Sequence, residues 1–403
     1  MTTQHRRLRT GQPIWLGKPA SGVKFDALMD DISVDIAVIG AGISGALIAE
    51  NLTEAGYSVA IFDRRKPVMG STPASTALLQ FEIDMPLHKL AKRIGLNNAE
   101  RAWRCSKLAV DAMRERTRNL GISCEMKNRD SLYIAGDVLD AKGLHREFLA
   151  RQRAGIETTF LPQADLQTRF GIDREAALMS FDNIEANPRK LALGYLKKAI
   201  DRGAHIYAPV EVANVEPRSR DVLATTVEGR KIRCKYLVSA TGYELPAHIP
   251  KKGHRIISTW ALATVPQPER LWPERCLIWE ASDPYLYMRT TQDGRIIVGG
   301  EDEEFEDERK RDAKLSSKTH TLLTKLKKMF PKSIAEADYA WTGSFGSSTT
   351  GLPFIGAIPG MDRCYAVLGY GGNGITFSMV ASQLIRGLIS GDGHPDEDVF
   401  AFK

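Results

Sequence analysis

The chain has 403 residues, 43% of them hydrophobic and 26% charged, with a formal net charge of +6 at pH 7. This is ordinary globular material, long enough for two domains, and no apolar run approaches the ~18–20 residues that span a bilayer. The five cysteines (Cys105, Cys124, Cys234, Cys276 and Cys364) form no C-x-x-C pair, and the histidines do not cluster. A zinc or iron site is therefore not expected, and reduced thiols in the cytoplasm are the default. The first residues, MTTQHRRLRTGQPIW, are basic but lack the apolar core of a secretion signal. The basic segments near Arg6–Arg9 and Lys325–Lys328 lack interleaved aromatic residues, so they read as solvated faces and no nucleic-acid partner is expected.

Residues 1–30 read as an extended arm leading to the first strand. Residues 35–63, DIAVIGAGISGALIAENLTEAGYSVAIFD, follow it. Ile36 to Ile39 is a short apolar run suited to a buried parallel strand. It enters Gly40, Gly42 and Gly45, spaced G-x-G-x-x-G, with Ile43 and Ser44 between the last two. Gly40 permits a tight turn, Gly42 lets backbone approach a pyrophosphate, and Gly45 lets helix pack close to strand. The helix start then presents N–H groups to the phosphates. A second strand, Val59 to Phe62, ends at Asp63 and Arg64. Asp63 lies eighteen residues after Gly45 and is placed to accept hydrogen bonds from a ribose.

Beyond this unit the character changes. Asn98 to Leu120 has helical periodicity, Ser131 to Ala135 is a strand candidate, and Leu166 to Phe170 sits between breakers. Alternating α/β then returns: a helix over Leu191–Ile200, strands at Ile206–Val212, Val222–Val227 and Lys231–Arg233, and an apolar run Tyr236–Ala240. That run enters Thr241 and Gly242, which suits either a backbone contact to a cofactor or an ordinary turn. Val210, in the strand candidate before it, is taken as a further cofactor contact. Thr259–Val265, Cys276–Glu280, Tyr285–Thr290 and Arg295–Val298 alternate like an antiparallel sheet, with a hairpin signal at Asp293-Gly294. The run Glu301–Asp312 reads as a solvated loop before a helix over Leu315–Met329.

A second glycine-rich turn, Gly369-Tyr370-Gly371-Gly372-Asn373-Gly374, separates the strand candidate Cys364–Leu368 from an apolar helix beginning at Ile375. A helix N-terminus of this kind stabilises negative charge, whether a phosphate or the pyrimidine edge of a reduced flavin. Two such turns at opposite ends of the chain suit one long cofactor gripped at both ends. FAD fits this better than NAD.

On these residues the chain resembles the FAD-dependent glycine/D-amino-acid oxidase superfamily, which includes sarcosine oxidases, dimethylglycine dehydrogenases and γ-glutamylputrescine oxidoreductases. The segments that carry the resemblance are the first unit, GSTPASTALLQ (70–80), LVSATGY (237–243), PYLYMRTTQDGRIIVGGED (284–302) and GLPFIG through GYGGNGITF (351–377). It implies an α/β fold: a Rossmann-type FAD domain from residues 31–84, 186–250 and 341–403. An interwoven α+β substrate domain on a mixed or antiparallel sheet takes residues 85–185 and 251–340. By resemblance, Ser71, Thr72, Ser75 and Thr76 lie along the flavin, and Gly372, Asn373, Gly374 and Ile375 form the turn near its pyrimidine ring. Arg289 resembles the arginine that clamps a substrate carboxylate, although an arginine on a strand also serves as an ion-pair partner. Tyr285 and Tyr287 share one strand face, lining the pocket or packing in the sheet. Ala74 and Ser344 stand where relatives carry the histidine or cysteine that bonds the flavin, so FAD is expected to be non-covalent. The strand at 295–298 reads RIIV, without the oxygen-activating lysine of sarcosine oxidases.

The expectation is an FAD-dependent oxidoreductase that oxidises the C–N bond of a small amine or amino acid by hydride transfer to flavin N5, with hydrolysis of the imine. Oxygen or a quinone-type acceptor takes the electrons. Three rivals remain: a hydroxy-acid or polyol-phosphate dehydrogenase passing electrons to quinone, a tRNA-modifying flavin enzyme, and a flavin-binding regulator without turnover.

Overall fold

Three parallel strands set the frame. In the computed structural model, which describes residues 5–250 and 253–402, Ile32–Ile39 pairs in parallel with Val59–Phe62 on one side and Lys231–Ser239 on the other. The sheet runs Phe354–Ala357, Cys364–Leu368, Lys231–Ser239, Ile32–Ile39, Val59–Phe62, His205–Tyr207. A ribbon of Val212–Pro217 and Val222–Thr226 joins it through Lys231–Ser239. Side chains alternate across the pleat. Ile36 and Val38 enter one core with the helices Ile43–Glu54, Pro188–Asp201 and Gly374–Ser390. Ala37, Phe62 and Leu237 enter another, with Val222 and Ala224 of the ribbon. Both faces are covered, as a parallel sheet requires.

The second sheet has nine strands. Its order is Ala337–Ser348, His254–Thr264, Ile296–Glu303, Leu286–Thr290, Leu277–Glu280, Lys127–Ile134, Ala176–Glu185, Leu78–Leu79, with Thr158–Pro162 also on Ala176–Glu185. All its pairs are antiparallel except Leu277–Glu280 with Lys127–Ile134. A mixed sheet stands beside a Rossmann-type one. The chain enters the second sheet at Leu78–Leu79 and leaves it after Ser348, so neither the boundary at 84 nor that at 341 coincides with a change of sheet.

Local readings differ from the structure in several places. Residues 1–30 are not merely an extended arm: Ile14–Gly17 is a helical turn, and Ile14 and Trp15 are buried with Ile297 and Trp341. Leu166–Phe170 belongs to a helix, Gln163–Phe170, closed by Gly171 in the left-handed conformation. The acidic run 301–312 splits between the end of Ile296–Glu303 and a short helix, Glu308–Ala313, capped by the Asp307 carboxylate. The two runs over 231–240 form one strand, Lys231–Ser239. The expected strand at Ile206–Val212 is interrupted, ending as His205–Tyr207 and resuming as Val212–Pro217.

Gly45 shows why the fingerprint helix sits so close to its strand. A Cβ there would overlap the Gly40 carbonyl oxygen, a backbone atom that cannot swing aside. Gly45→Ala should cost about 1–3 kcal/mol in urea unfolding, as overpacking does. Gly22→Ala, where an added Cβ meets nothing within 4 Å, should change stability by no more than about 0.5 kcal/mol.

Candidate functional site

An elongated cleft, with an empty volume of about 1660 Å³ counting its open mouth, runs from Asp63 and Arg64 past the Ser71–Thr76 loop to the second glycine turn and the tyrosines Tyr285 and Tyr287. It lies where the carboxyl ends of the parallel strands open, the usual place for a ligand in such a sheet.

The fingerprint end is built by backbone. The helix Ile43–Glu54 starts at Gly42, and the Ile43 N–H donates to Thr72 Oγ1 at 3.1 Å. The Ser44 hydroxyl lies 2.8 Å from Ser378 Oγ and accepts from the Tyr370 hydroxyl at 3.0 Å, which ties this helix to Gly374–Ser390 and the turn before it. Asp63 accepts from the N–H groups of Ala41 and Arg65, both at 2.8 Å. Burial raises its pKa, and those two hydrogen bonds oppose the rise. Val210 donates its N–H to the Asp63 carbonyl at 2.8 Å. Arg64 and Arg65 both pair with the buried Glu244, which also accepts the Arg6 N–H at 2.8 Å.

Two buried tryptophans hold the Ser71–Thr76 loop. Trp15 Nε1 donates to the Ser75 carbonyl at 2.7 Å and Trp341 Nε1 to the Ala74 carbonyl at 2.9 Å. The second turn is sewn to residues 80–84: Asn373 Nδ2 donates to the Glu82 carbonyl, Thr376 Oγ1 to the Gln80 carbonyl at 2.9 Å, and the Gly372 N–H to Asp84 Oδ2 at 2.7 Å.

Thus the structure brings Gly40, Gly42, Ile43, Ser44, Asp63, Arg64, Ser71, Thr72, Ser75, Thr76, Val210, Thr241, Gly242, Gly372, Asn373, Gly374, Ile375, Tyr285 and Tyr287 to one cavity. Gly45 lies behind it, in the packing role described above. Arg289, expected as a carboxylate clamp or as an ion-pair partner, does not line the cleft. It lies further along the tyrosine face, 2% exposed, with Nη1 3.3 Å from Glu185 and Nη2 donating to the Ala186 carbonyl at 3.1 Å. The Trp15 ring, 5.1 Å from its guanidinium, covers it. The alternation that groups Arg289 with the tyrosines is real, but the N-terminal segment fills the space above it.

Sequence reasoning missed several cavity residues: Leu8, Gln80, Asp84, Thr259, Trp279 and Phe345. Tyr243 and Tyr370 were missed as well, although they and Gln80 stand inside motifs that carry the resemblance. Nothing local marks Asp84, which reaches the cavity through its contact with the second glycine turn, or Trp279, which reaches it through the second sheet.

The cleft suits FAD. A Cβ on Gly42 would press on Thr72 Oγ1 at 3.3 Å, so the glycine leaves room for a close ligand. Arg64 Nε and Gln80 Oε1 are buried without hydrogen-bond partners at opposite parts of the cleft, and such atoms call for a polar ligand. No cysteine or histidine lines the cleft among the described residues, and burial pushes the thiols of Cys105, Cys124, Cys234 and Cys364 up to about 12. The side chains used for the familiar covalent attachments are therefore absent, with Ala74 and Ser344 at the cavity wall.

A doubly covered parallel sheet with two glycine turns on one cleft, joined to a mixed sheet, defines a dinucleotide-binding oxidoreductase. Residues 35–388 match the family described as FAD dependent oxidoreductase, and the chain belongs to that family. It is 24% identical over 386 residues to the γ-glutamylputrescine oxidoreductase of Escherichia coli (strain K12), covering 91% of this chain and 86% of the relative. It is 23% identical over 378 residues to the glycine oxidase of Geobacillus kaustophilus (strain HTA426), covering 88% and 92%. The crystal structure of glycine oxidase from Geobacillus kaustophilus superposes with a TM-score of 0.76 at 20% identity, over 92% of this chain and 98% of that one; the likeness is one of fold. The protein is an FAD-dependent oxidoreductase. Among the described residues no helix is long and apolar enough to cross a membrane, and no cluster of side chains could hold a metal ion.

Three outcomes follow from this geometry. Asp63→Ala should weaken FAD binding by about 1–3 kcal/mol, measured by titrating apoprotein with FAD, because the turn loses its acceptor. Arg289→Ala should destabilise the protein by about 3 kcal/mol, the low end for a broken buried pair, since Arg129 remains 3.0 Å from Glu185. Chemical denaturation reads that loss, and substrate preference should not move. The third concerns Asp302, beside Tyr285 and Thr259, whose pKa burial raises from 3.8 to about 7. Between those values the folded protein keeps a proton that the unfolded chain releases, so stability falls as pH rises through the window. Thermal melts at about pH 5 and about pH 8 should show a smaller loss in Asp302→Asn than in wild type.

Proposed function

We propose that this enzyme oxidises the C–N bond of a small amine or amino acid, with a simple amine as the better fit. The reading rests chiefly on the far end of the cleft. Tyr243, Tyr285, Tyr287, Trp279 and Asp84 line it, and the only arginines on the cleft, Arg64 and Arg65, lie beside Asp63 at the other end; no lysine or histidine lines it among the described residues. A hydroxy-acid or polyol-phosphate substrate would need a cation for its anionic group, and the far end provides none. The names of the relatives, a γ-glutamylputrescine oxidoreductase and a glycine oxidase, support the same bond type.

Asp63, Arg64 and the Gly40–Gly45 turn would hold the adenosine and pyrophosphate end, Ser71–Thr76 the length of the cofactor, and Gly372–Ile375 the ring. When bound, FAD supplies the two-electron acceptor for hydride from the substrate's α-carbon, and the substrate imine then hydrolyses. The protein's share is orientation and exclusion of water. Burial raises the pKa values of Tyr285 and Tyr287, so both stay neutral hydroxyls that orient a substrate without taking its proton. A neutral amine gives up hydride with no base beside it. Among the described residues no lysine lines the cleft, and the strand at 295–298 reads RIIV, which supports an electron acceptor other than oxygen.

Anaerobic mixing with a panel of amines, amino acids and hydroxy acids tests the reading. Amines should bleach the flavin absorbance, and a quinone dye should restore it faster than oxygen. Bleaching by hydroxy acids alone would overturn it.

A further inference from the structure

Asp84 is a carboxyl group on the cleft beside the second glycine turn; burial raises its pKa, and the Gly372 N–H opposes the rise. It is exposed to the cleft yet walled in by protein. Its Oδ2 accepts the Gly372 N–H at 2.7 Å, and no ion pair joins it among the described residues. Added Cβ atoms on Gly371 and Gly372 would each stand 2.8 Å from its oxygens, so the glycines make room for it. Burial raises the pKa values of Tyr243, Tyr285 and Tyr287, and the Asp84 charge adds to each rise; all three tyrosines line the same cleft as Asp84. The Tyr285 and Tyr287 rings lie 5.3 Å apart. Trp279, stacked on Tyr133 at 3.8 Å, is 4% exposed, lines the same end and has no partner for Nε1. Gln80, 5% exposed, also lines the cleft with Oε1 unpaired. A second carboxylate, Asp302, is close enough to feel Asp84; it forms no ion pair among the described residues, and the Lys318 charge only partly offsets its burial.

A carboxylate in a cleft lined by aromatic side chains is the chemistry that recognises an alkylammonium ion. The cation held there is not the reacting nitrogen. An adjacent anion favours the charged form of an amine, and hydride leaves the α-carbon only when the reacting nitrogen is neutral.

Resting on the amine-oxidation reading, we propose that the substrate is a diamine or a longer polyamine-type amine: one nitrogen reacts, and a second, cationic nitrogen is anchored by Asp84 in the cleft lined by Tyr243, Tyr285 and Tyr287. Asp84 thereby sets specificity for the distance between the two nitrogens.

The test uses FAD-loaded protein. Flavin reduction is compared for 1,4-diaminobutane and butylamine, which differ only in the second nitrogen. Wild type should favour the diamine in kcat/KM by at least about tenfold, the factor set by 1.4 kcal/mol, and the ratio should collapse in Asp84→Asn mainly through KM. The asparagine can still accept the Gly372 N–H, so FAD retention and the flavin spectrum report whether the turn is intact. In parallel, benzyltrimethylammonium, which cannot be oxidised at nitrogen by loss of a proton, is titrated against the flavin absorbance, with benzoate as its anionic counterpart. The cation should bind wild type more tightly than benzoate. It should bind at least about tenfold more weakly to Asp84→Asn and to Tyr285→Leu, with Tyr285→Phe close to wild type. Tighter binding of benzoate, or a diamine preference that survives Asp84→Asn, would overturn the anchor. If no amine reduces the flavin but the cation still binds through Asp84, the reaction assignment falls and the anchor stands.

Discussion

The closeness of two parallel strands governs this molecule. Gly40 leaves Ile32–Ile39 with φ +114°, and a Cβ on it would overlap the Ala240 carbonyl at the end of Lys231–Ser239. Because these strands lie side by side in register from Ile32 with Ile232 to Ile39 with Ser239, their carboxyl-terminal turns open at one level. The fingerprint helix, the Thr241–Gly242 turn and the Asp63 corner then face one space. Cys364–Leu368 pairs in parallel with the same Lys231–Ser239 strand, so the second glycine turn opens at that edge as well. Register, set by burial on both faces of the sheet, is what gathers residues from the start, middle and end of the chain.

The cofactor side of the site was legible because its signals are local. Gly40, Gly42, Gly45 and Asp63 sit within one strand–turn–helix–strand unit, where each residue's role follows from its neighbours. The second turn was legible for the same reason: a strand, a run of glycines and an apolar helix occur in immediate succession. The substrate side was legible only in outline. Alternation correctly put Tyr285, Tyr287 and Arg289 on one face, but not what lies above each. Trp15, far away in sequence, decides that Arg289 is buried while the tyrosines meet the cleft. Asp84 and Trp279 are invisible for the same reason, since Asp84 is placed by the distant Gly372 turn and Trp279 by pairing between distant strands. The segments that separate the two sheets also have no compositional mark, which is why Ala337–Ser348 crosses an expected boundary.

Charge divides the cleft in two. At the fingerprint end, Arg64 and Arg65 are held by Glu244, so the positive field is tempered and fixed in direction. At the other end Asp84 has no ion pair among the described residues, and Asp302, behind the lining, feels the Lys318 charge against its burial. Low local dielectric makes such an imbalance strong. A single extended ligand with an anionic middle is drawn toward the arginines and the helix start, leaving the acidic end to a separate, smaller molecule.

The N-terminal segment ties distant parts of the sequence to one loop. Gln12, Thr10 and Leu8 hydrogen-bond to Ala340, Thr342 and Ser344, at the margin of the second sheet, and Leu8 reaches into the cleft. The strand Ala337–Ser348 is thus the ledge on which the wall formed by Leu8 and Trp15 leans. One tryptophan from each of these two segments supports the Ser71–Thr76 loop, Trp15 through the Ser75 carbonyl and Trp341 through the Ala74 carbonyl. The loop that borders the cleft is therefore only as firm as the seam between the N-terminal segment and the margin of the second sheet.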